Sequence, residues 1–314
     1  MNVHLGQLPA SQFERWRRSA RERMVTRERT SRLRVGADAA EHVEGMLARV
    51  FALGYPADDS EVLVVSDRDE PVGSLWLWSS GSRTVILDVD LPESLSDDEL
   101  REIRSLTLEQ PISASAQSLG VEAFARDIRT WRLVECGDSK ASSIQMLLDP
   151  IPERRMGETP RAISLTPMTP ARFASYMRVS IKAFADALHG AGGFSPEEAV
   201  AESRRQFTEN LPDGIETAEQ FLYSVEVDGR EVGILWFALQ NRGSERHAFV
   251  FEIEVLADHR GRGYGKAIML AAEQEAQRVG ATSLGLHVFA DNRRAIMMYE
   301  GLGYERTQEY RLLT

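Results

Sequence analysis

The stretch Val255-Leu256-Ala257-Asp258-His259-Arg260-Gly261-Arg262-Gly263-Tyr264-Gly265-Lys266 decides how this chain is read. The residues leading into it, Val250-Phe251-Glu252-Ile253-Glu254-Val255, alternate apolar and acidic with a period of two, which predicts a strand with its acids on one side and Phe251, Ile253 and Val255 on the other. The residues after it, Ala267-Ile268-Met269-Leu270-Ala271-Ala272-Glu273, are good helix formers. The glycines therefore fall in a strand-to-helix turn. Such a turn can gather bare backbone N–H groups and a helix N-terminus around one anion, most often a phosphate. Gly263 and Gly265 remove the Cβ atoms that would hold a phosphate away, and Arg260, Arg262 and Lys266 add positive charge.

Two common phosphate loops do not fit. The Walker pattern needs Ser or Thr after GxxxxGK, but Ala267 follows Lys266. The dinucleotide pattern GxGxxG fails because the glycines stand at 261, 263 and 265. What fits is Arg-x-x-Gly-x-Gly, at Arg260, Gly263 and Gly265. Downstream, 283–289 reads as a second strand, followed by Asn292, Ala295, Tyr299, Gly303 and Tyr304 in an Asn-x-x-Ala-x-x-x-Tyr-x-x-x-Gly-aromatic order. Together these two segments resemble the GNAT N-acetyltransferase family. The resemblance implies an α/β fold and acetyl-CoA as co-substrate, with no metal. It implies that backbone amides along Arg260, Gly261, Arg262, Gly263, Tyr264, Gly265 and Lys266 grip the pyrophosphate.

The chain has 314 residues, enough for about two domains. Its net charge of −11 argues against nucleic acid as a partner and suits, weakly, a cationic or amine-bearing acceptor. Cys136 is the only cysteine, which excludes an intrachain disulfide and a cysteine-based zinc site. The first residues show no basic stretch followed by an apolar run, and no segment reaches the length of a membrane span, so the expectation is a cytoplasmic protein without a signal peptide or membrane contact.

The sequence is written twice at an offset of 160. Leu5, Leu8, Phe13, Trp16 and Arg18 map onto Leu165, Met168, Phe173, Tyr176 and Arg178. Val72-Gly73-Ser74-Leu75-Trp76 maps onto Val232-Gly233-Ile234-Leu235-Trp236, and Ala116-Gln117-Ser118-Leu119-Gly120 onto Ala276-Gln277-Arg278-Val279-Gly280. The offset slips to 164 where 86–91 faces 250–255. Each copy is expected to open with two helices, at 10–27 and 37–52, then at 170–188 and 196–210. Two strands follow in each, at 61–66 and 71–78, then at 221–227 and 231–239. Asp228-Gly229 predicts a tight hairpin turn. The expected architecture is two tandem acetyltransferase domains, 1–150 and 163–314, each a mixed, partly splayed β-sheet flanked by helices. A proline-bearing linker at 151–162 joins them. Oligomeric expectations are a monomer acting as a pseudo-dimer, or a homodimer.

The first copy keeps the scaffold and loses the site. Opposite the glycine loop stands Leu95-Ser96-Asp97-Asp98-Glu99-Leu100-Arg101, without glycine and with three acids of the wrong sign for a pyrophosphate. At the 160 offset Arg132 and Ser139 stand opposite Asn292 and Tyr299. The layout resembles tandem members of the family with one degenerate copy.

The resemblance assigns the remaining roles in the second copy. A backbone N–H at Val255 or Leu256 polarises the thioester carbonyl, with the Val255 side chain free to serve as core. Tyr299 is the general acid for the departing thiolate, or a core aromatic. Asn292 and Ala295 lie at the cofactor, and Asn292 alternatively caps a helix over 293–302. The acidic side of the strand supplies the general base, with Glu254 preferred to Glu252 because it adjoins the carbonyl-binding position. His287, on the next strand, is a weaker candidate. The acceptor pocket falls to 180–194, whose Gly190, Gly192 and Gly193 suggest a lid, while Trp236 matches Trp76 and reads as structural. The expected reaction is acetyl transfer to a primary amine of a small molecule in a ternary complex. A protein or peptide amine, or a non-catalytic acyl-CoA sensor, is the alternative.

Overall fold

The computed structural model describes residues 3–68, 70–110, 112, 118–154, 162–191 and 194–314. Asp69, between the strands expected at 61–66 and 71–78, the matched pair Ala116-Gln117, most of the linker (155–161) and the lid glycines Gly192 and Gly193 lie outside the described residues. The chain forms two compact units whose limits do not follow the sequence repeat. The first gathers Met1–Ile144, Leu188–Glu198 and Thr307–Thr314; the second gathers Gln145–Ala187 and Ala199–Arg306.

In the first unit, β1 (Val3–Gln7), β2 (Ser60–Asp67), β3 (Glu70–Ser80) and β4 (Arg83–Asp90) form an antiparallel run. β5 (Ser118–Phe124) joins β4 in parallel, and the chain's last strand, β12 (Glu305–Leu313), pairs antiparallel with β5. Helices α1 (Phe13–Thr30) and α2 (Asp38–Val50) bury Trp16, Met24, Val43 and Leu47 with Trp76 in one cluster. Helices α3 (Asp97–Leu108) and α4 (Ile128–Glu135) bury Leu100, Ile103, Leu133 and Val134 in another, with Leu75 and Leu77. Alternate residues of β3 thus feed opposite clusters, the period-two arrangement of a sheet covered on both faces.

The second unit repeats this plan. β7 (Ser164–Pro167), β8 (Gln220–Val227), β9 (Arg230–Arg242) and β10 (Glu245–Val255) are antiparallel, and β11 (Ser283–Phe289) runs parallel to β10. Residues 145–148, the end of β6 (Ser139–Leu148), complete it beside β11. Helices α5 (Pro170–Ala191) and α6 (Pro196–Asn210) supply Tyr176 and Phe207 to a core with Leu222, Ile234 and Trp236. Helix α7 (Tyr264–Arg278) buries Ala267, Ile268, Met269 and Leu270, and α8 (Arg293–Leu302) buries Ile296, Tyr299 and Leu302. The turn at Asp228-Gly229 has φ of 50° and 72°, the paired positive values of a type I′ hairpin. Among the described residues, no helix is long and apolar enough to cross a membrane.

The repeat is exact in register. Ser74 faces Asp90, Trp76 faces Asp88 and Leu77 faces Ile86; Ile234 faces Glu254, Trp236 faces Glu252 and Phe237 faces Val250. Each copy therefore carries a β-bulge at the same place, at Leu87 and at Phe251. The Trp76 indole donates to Ser60 and the Trp236 indole to Gln220, again 160 apart, which gives both tryptophans a structural role.

Two expectations are corrected here. The bulge interrupts the alternation, so Phe251 does not lie opposite the acids; its ring stacks on Trp236 at 4.5 Å, the cross-strand neighbour of Glu252. The acids themselves lie on the face covered by α5 and α6. Further along, insertions carry the offset to 165, the spacing between β5 and β11. Asp127, which caps α4, stands opposite Asn292, and Val134 stands opposite Tyr299, in place of Arg132 and Ser139. Strands β1 and β7 were absent from the sequence-based expectation.

The bulged pair also fixes one glycine per copy. A Cβ on Gly233 would lie 2.3 Å from the Glu254 carbonyl oxygen, and one on Gly73 2.2 Å from that of Asp90. Because the obstacle is backbone, Gly233→Ala is expected to destabilise the protein by about 1–3 kcal/mol, the range for overpacking. Denaturant titration checks this, and an unchanged midpoint would show that the two strands can separate there.

Candidate active site

β10 and β11 pair from His247–Ser283 to Val250–Leu286 and then part. β10 continues along β9 as far as the Val255–Gly233 pair. The five residues from Phe251 to Val255 thus keep one neighbouring strand and present an open edge where β11 has left. The Leu256 N–H donates to the Val232 carbonyl at 2.9 Å, so it is committed to β9. Antiparallel alternation then turns the Val255 N–H and C=O to the opposite, open edge. Between the two backbone candidates for a carbonyl-binding N–H, the geometry selects Val255. Its own carbonyl accepts from Arg260 Nε at 2.9 Å, which folds the glycine loop back against the strand end.

After a 3-10 turn over Ala257–His259, Gly261 and Gly263 adopt φ of 77° and 85°, in the left-handed region that favours glycine. Gly263 is the N-cap of α7; no side chain caps that helix, and no acid stands in its first turn. A Cβ on Gly261 or Gly263 would meet nothing within 4 Å, so space lies open before this positive helix end. Arg262 and Lys266 are exposed beside it, and Tyr264 is buried beneath it. A Cβ on Gly265 would sit 3.7 Å from Met298 Sδ and 3.9 Å from Val255 Cγ2. The strand end, the start of α7 and α8 therefore meet at Gly265. These residues fit the diphosphate of a CoA thioester.

The first copy closes the same helix end by itself. Ser96 Oγ accepts from the Glu99 N–H, and the Glu99 carboxylate accepts from the Ser96 N–H and hydroxyl, a complete capping box. Asp97 and Asp98 add negative charge to that turn, and Arg132 reaches from α4 to the carbonyls of Glu93 and Leu95. A pyrophosphate there would displace a carboxylate already satisfied.

The two acids of β10 have different surroundings. Glu252 accepts from the Tyr176 hydroxyl at 2.7 Å and the Ser180 hydroxyl at 3.2 Å, two residues one turn apart on α5. Burial holds its carboxyl above the usual carboxylate range, opposed by those two hydrogen bonds. Glu254 lies 3.8 Å from the Arg260 guanidinium and keeps 35% of its side-chain exposure. Glu252 is thus held by two hydroxyls, whereas Glu254, the acid preferred from the sequence, stands beside a cation. Tyr176 and Ser180 were not singled out as site residues; their one signal was an i, i+4 pair of hydroxyls on the inner side of an amphipathic helix.

Tyr299 is buried, and burial alone pushes its phenol up to about 12, so it stays protonated at neutral pH. Asn292 Oδ1 accepts from the Ala295 N–H at 3.2 Å, which makes Asn292 the N-cap of α8. His287 is solvent-exposed and contacts the Phe289 ring. Phe194 and Glu198, beyond the expected lid glycines, belong to the first unit. The Phe194 ring lies 3.7 Å under the Arg83 guanidinium, and Glu198 accepts from the Ser82 N–H and hydroxyl.

The acetyltransferase (GNAT) family model matches residues 191–304. Among curated relatives, the uncharacterized N-acetyltransferase YycN of Bacillus subtilis is 36% identical over 146 residues, 46% of this chain and 94% of that protein. The mycothiol acetyltransferase of Pseudarthrobacter chlorophenolicus is 27% identical over 150 residues, but the match spans only 44% of that enzyme. The GCN5-related N-acetyltransferase from Sphaerobacter thermophilus shares the fold along the whole chain, with a TM-score of 0.56, 16% identity, and coverage of 99% of this chain and 94% of that one.

Because the hydrogen bonds from Tyr176 and Ser180 favour the ionised form of Glu252, removing one raises its pKa further. Tyr176→Phe is expected to move the Glu252 titration up by about one pH unit, the worth of a hydrogen bond to a charged group. Carboxyl carbon NMR of labelled glutamate reads this directly; a downward shift would contradict the assignment of donor and acceptor.

Proposed function

The chain belongs to the GNAT family of acetyltransferases, and on that premise we propose that it moves the acetyl group of acetyl-CoA onto the primary amine of a small molecule, by direct attack in a ternary complex. The observation that carries this reading is the placement of a half-buried, hydroxyl-bound carboxylate, Glu252, three residues before the open-edge N–H of Val255 on the same strand. Acyl transfer to an amine needs a proton acceptor, a polarised carbonyl and a proton for the leaving group, and the second copy offers one group for each.

In this reading the N–H groups around Gly261, Gly263 and Gly265 and the α7 N-terminus hold the diphosphate. The Val255 N–H donates to the carbonyl oxygen. Glu252 takes a proton from the acceptor ammonium, and the freed amine nitrogen bonds to the acetyl carbon. The carbon–sulfur bond breaks, Tyr299 gives its proton to the sulfur, and the second proton leaving the nitrogen restores the Tyr299 phenol. Asn292 and Ala295 fix the start of α8 and so the position of Tyr299. The first copy serves as a CoA-free scaffold, since its helix end is self-capped.

The pH dependence follows in sign. The base must be ionised, so kcat/KM is expected to climb as pH rises through the elevated Glu252 pKa, and Glu252→Gln is expected to abolish that acidic limb with a loss of about 100-fold or more. Tyr299→Phe is expected to lower kcat by a similar order while acetyl-CoA affinity stays within a factor of about two. An acyl-CoA sensor would instead show no amine-dependent thiol release in the wild type. By calorimetry the chain is expected to bind one acetyl-CoA, with the site lost in Gly263→Glu; two sites would overturn the scaffold reading of the first copy.

A further inference from the structure

The first copy contains a filled version of the acid pair. Asp88 and Asp90 occupy the register positions of Glu252 and Glu254. One guanidinium bridges them: Arg23 lies 2.6 Å from Asp88 and 2.8 Å from Asp90. Arg27 follows one turn later, 3.8 Å from Asp88 and 4.5 Å over the Phe124 ring, and Arg129 reaches Asp90 at 3.1 Å. Arg23 and Arg27 come from α1, whose Trp16 crosses Trp76 at 84°, as Tyr176 of α5 crosses Trp236 at 85°. That shared contact fixes the helix register at the 160 offset. In the second copy the places of Arg23 and Arg27 are taken by Ala183 and Ala187.

Those alanines leave room. Ala183 is exposed, although it stands on the helix that covers the acids, and Ala187 is half-buried. The charged groups that do face the pair are Arg260, 3.8 Å from Glu254, and Arg172, which is already bound to Glu231 at 2.5 Å. The hydroxyls of Tyr176 and Ser180 hydrogen-bond Glu252, where the first copy has guanidinium groups on Asp88. Phe289 is the counterpart of Phe124 at the 165 offset, and its ring lies 6.2 Å from that of Phe184.

We infer that the acceptor is an unbranched aliphatic amine whose ammonium takes the place between Glu252 and Glu254 that the Arg23 guanidinium holds between Asp88 and Asp90, and that Ala183 is the residue that opens this place. The inference rests on the acetyltransferase reading above and narrows it. An arginine side chain is a linear stem of three methylenes ending in a cation, so the space its absence creates is long and narrow with an anionic end. A ring directly beside the reacting amine does not match that shape. The first copy, by the same comparison, has become inert by binding its own side chain.

The test uses the full chain with acetyl-CoA, comparing n-pentylamine with cyclohexylmethylamine, two primary amines of similar basicity with an unhindered CH2 beside nitrogen. In the wild type, kcat/KM is expected to favour n-pentylamine at least tenfold. Ala183→Arg is expected to keep acetyl-CoA binding within about twofold and to lose at least 100-fold in transfer to n-pentylamine. Its Tm is expected to exceed that of Ala183→Met, because only the arginine supplies the bridging charge. Preference for cyclohexylmethylamine, or transfer by Ala183→Arg within threefold of wild type, would overturn the inference while leaving the acetyltransferase reading standing. Wild-type protein that binds acetyl-CoA but acetylates no amine would instead overturn the reading itself, and the inference with it.

Discussion

The candidate site depends on a parting of strands. Two parallel strands that stay paired exhaust their backbone N–H groups on each other. Here β10 follows β11 only as far as Val250, and the extra residue Phe251 turns the remainder of the strand while β9 keeps hold of it. The polar backbone edge from Phe251 to Val255 is thereby exposed without the strand losing its support. Glu252 and Glu254 ride on the same deviation, which places them under α5 instead of in open water. A bulge of one residue thus creates both the donor edge and the setting of the acids.

The two copies share this geometry and differ in what completes it. Where the second presents an uncapped helix end, the first caps its own with Ser96 and Glu99. Where the second has alanines facing two acids, the first has Arg23 and Arg27. Both changes satisfy from within the polypeptide a valence that a ligand would otherwise satisfy. Buried or half-buried charge has to be matched by something, and in the first copy it is matched by internal pairing.

Much of this was legible in the sequence because it depends on local chemistry. The glycine spacing, the helix-forming run after it and the hairpin at Asp228-Gly229 each carry their own backbone requirement, and all stand where the sequence placed them. The repeat was visible because cross-strand partners such as Trp76 and Trp236 must keep their register. The bulge was not, since one inserted residue leaves no compositional mark; reading straight alternation through Phe251 put that ring on the wrong face. The difference in surroundings between Glu252 and Glu254 was hidden for a related reason: Tyr176 and Ser180 stand more than 70 residues away and on another element. The offset at Asn292 drifted because small insertions in loops are silent to a fixed-period comparison.

The closing strand β12 carries a consequence for the chain's history. It ends the second copy in sequence but pairs with β5 of the first unit, while 145–148 of the first copy lie in the second unit. Each unit borrows its last strand from the other half of the gene. A deletion of the degenerate half would strip the surviving half of a strand and leave a bare sheet edge, a template for aggregation. The first copy can therefore change residue by residue, but its removal as a module would cost the second a strand.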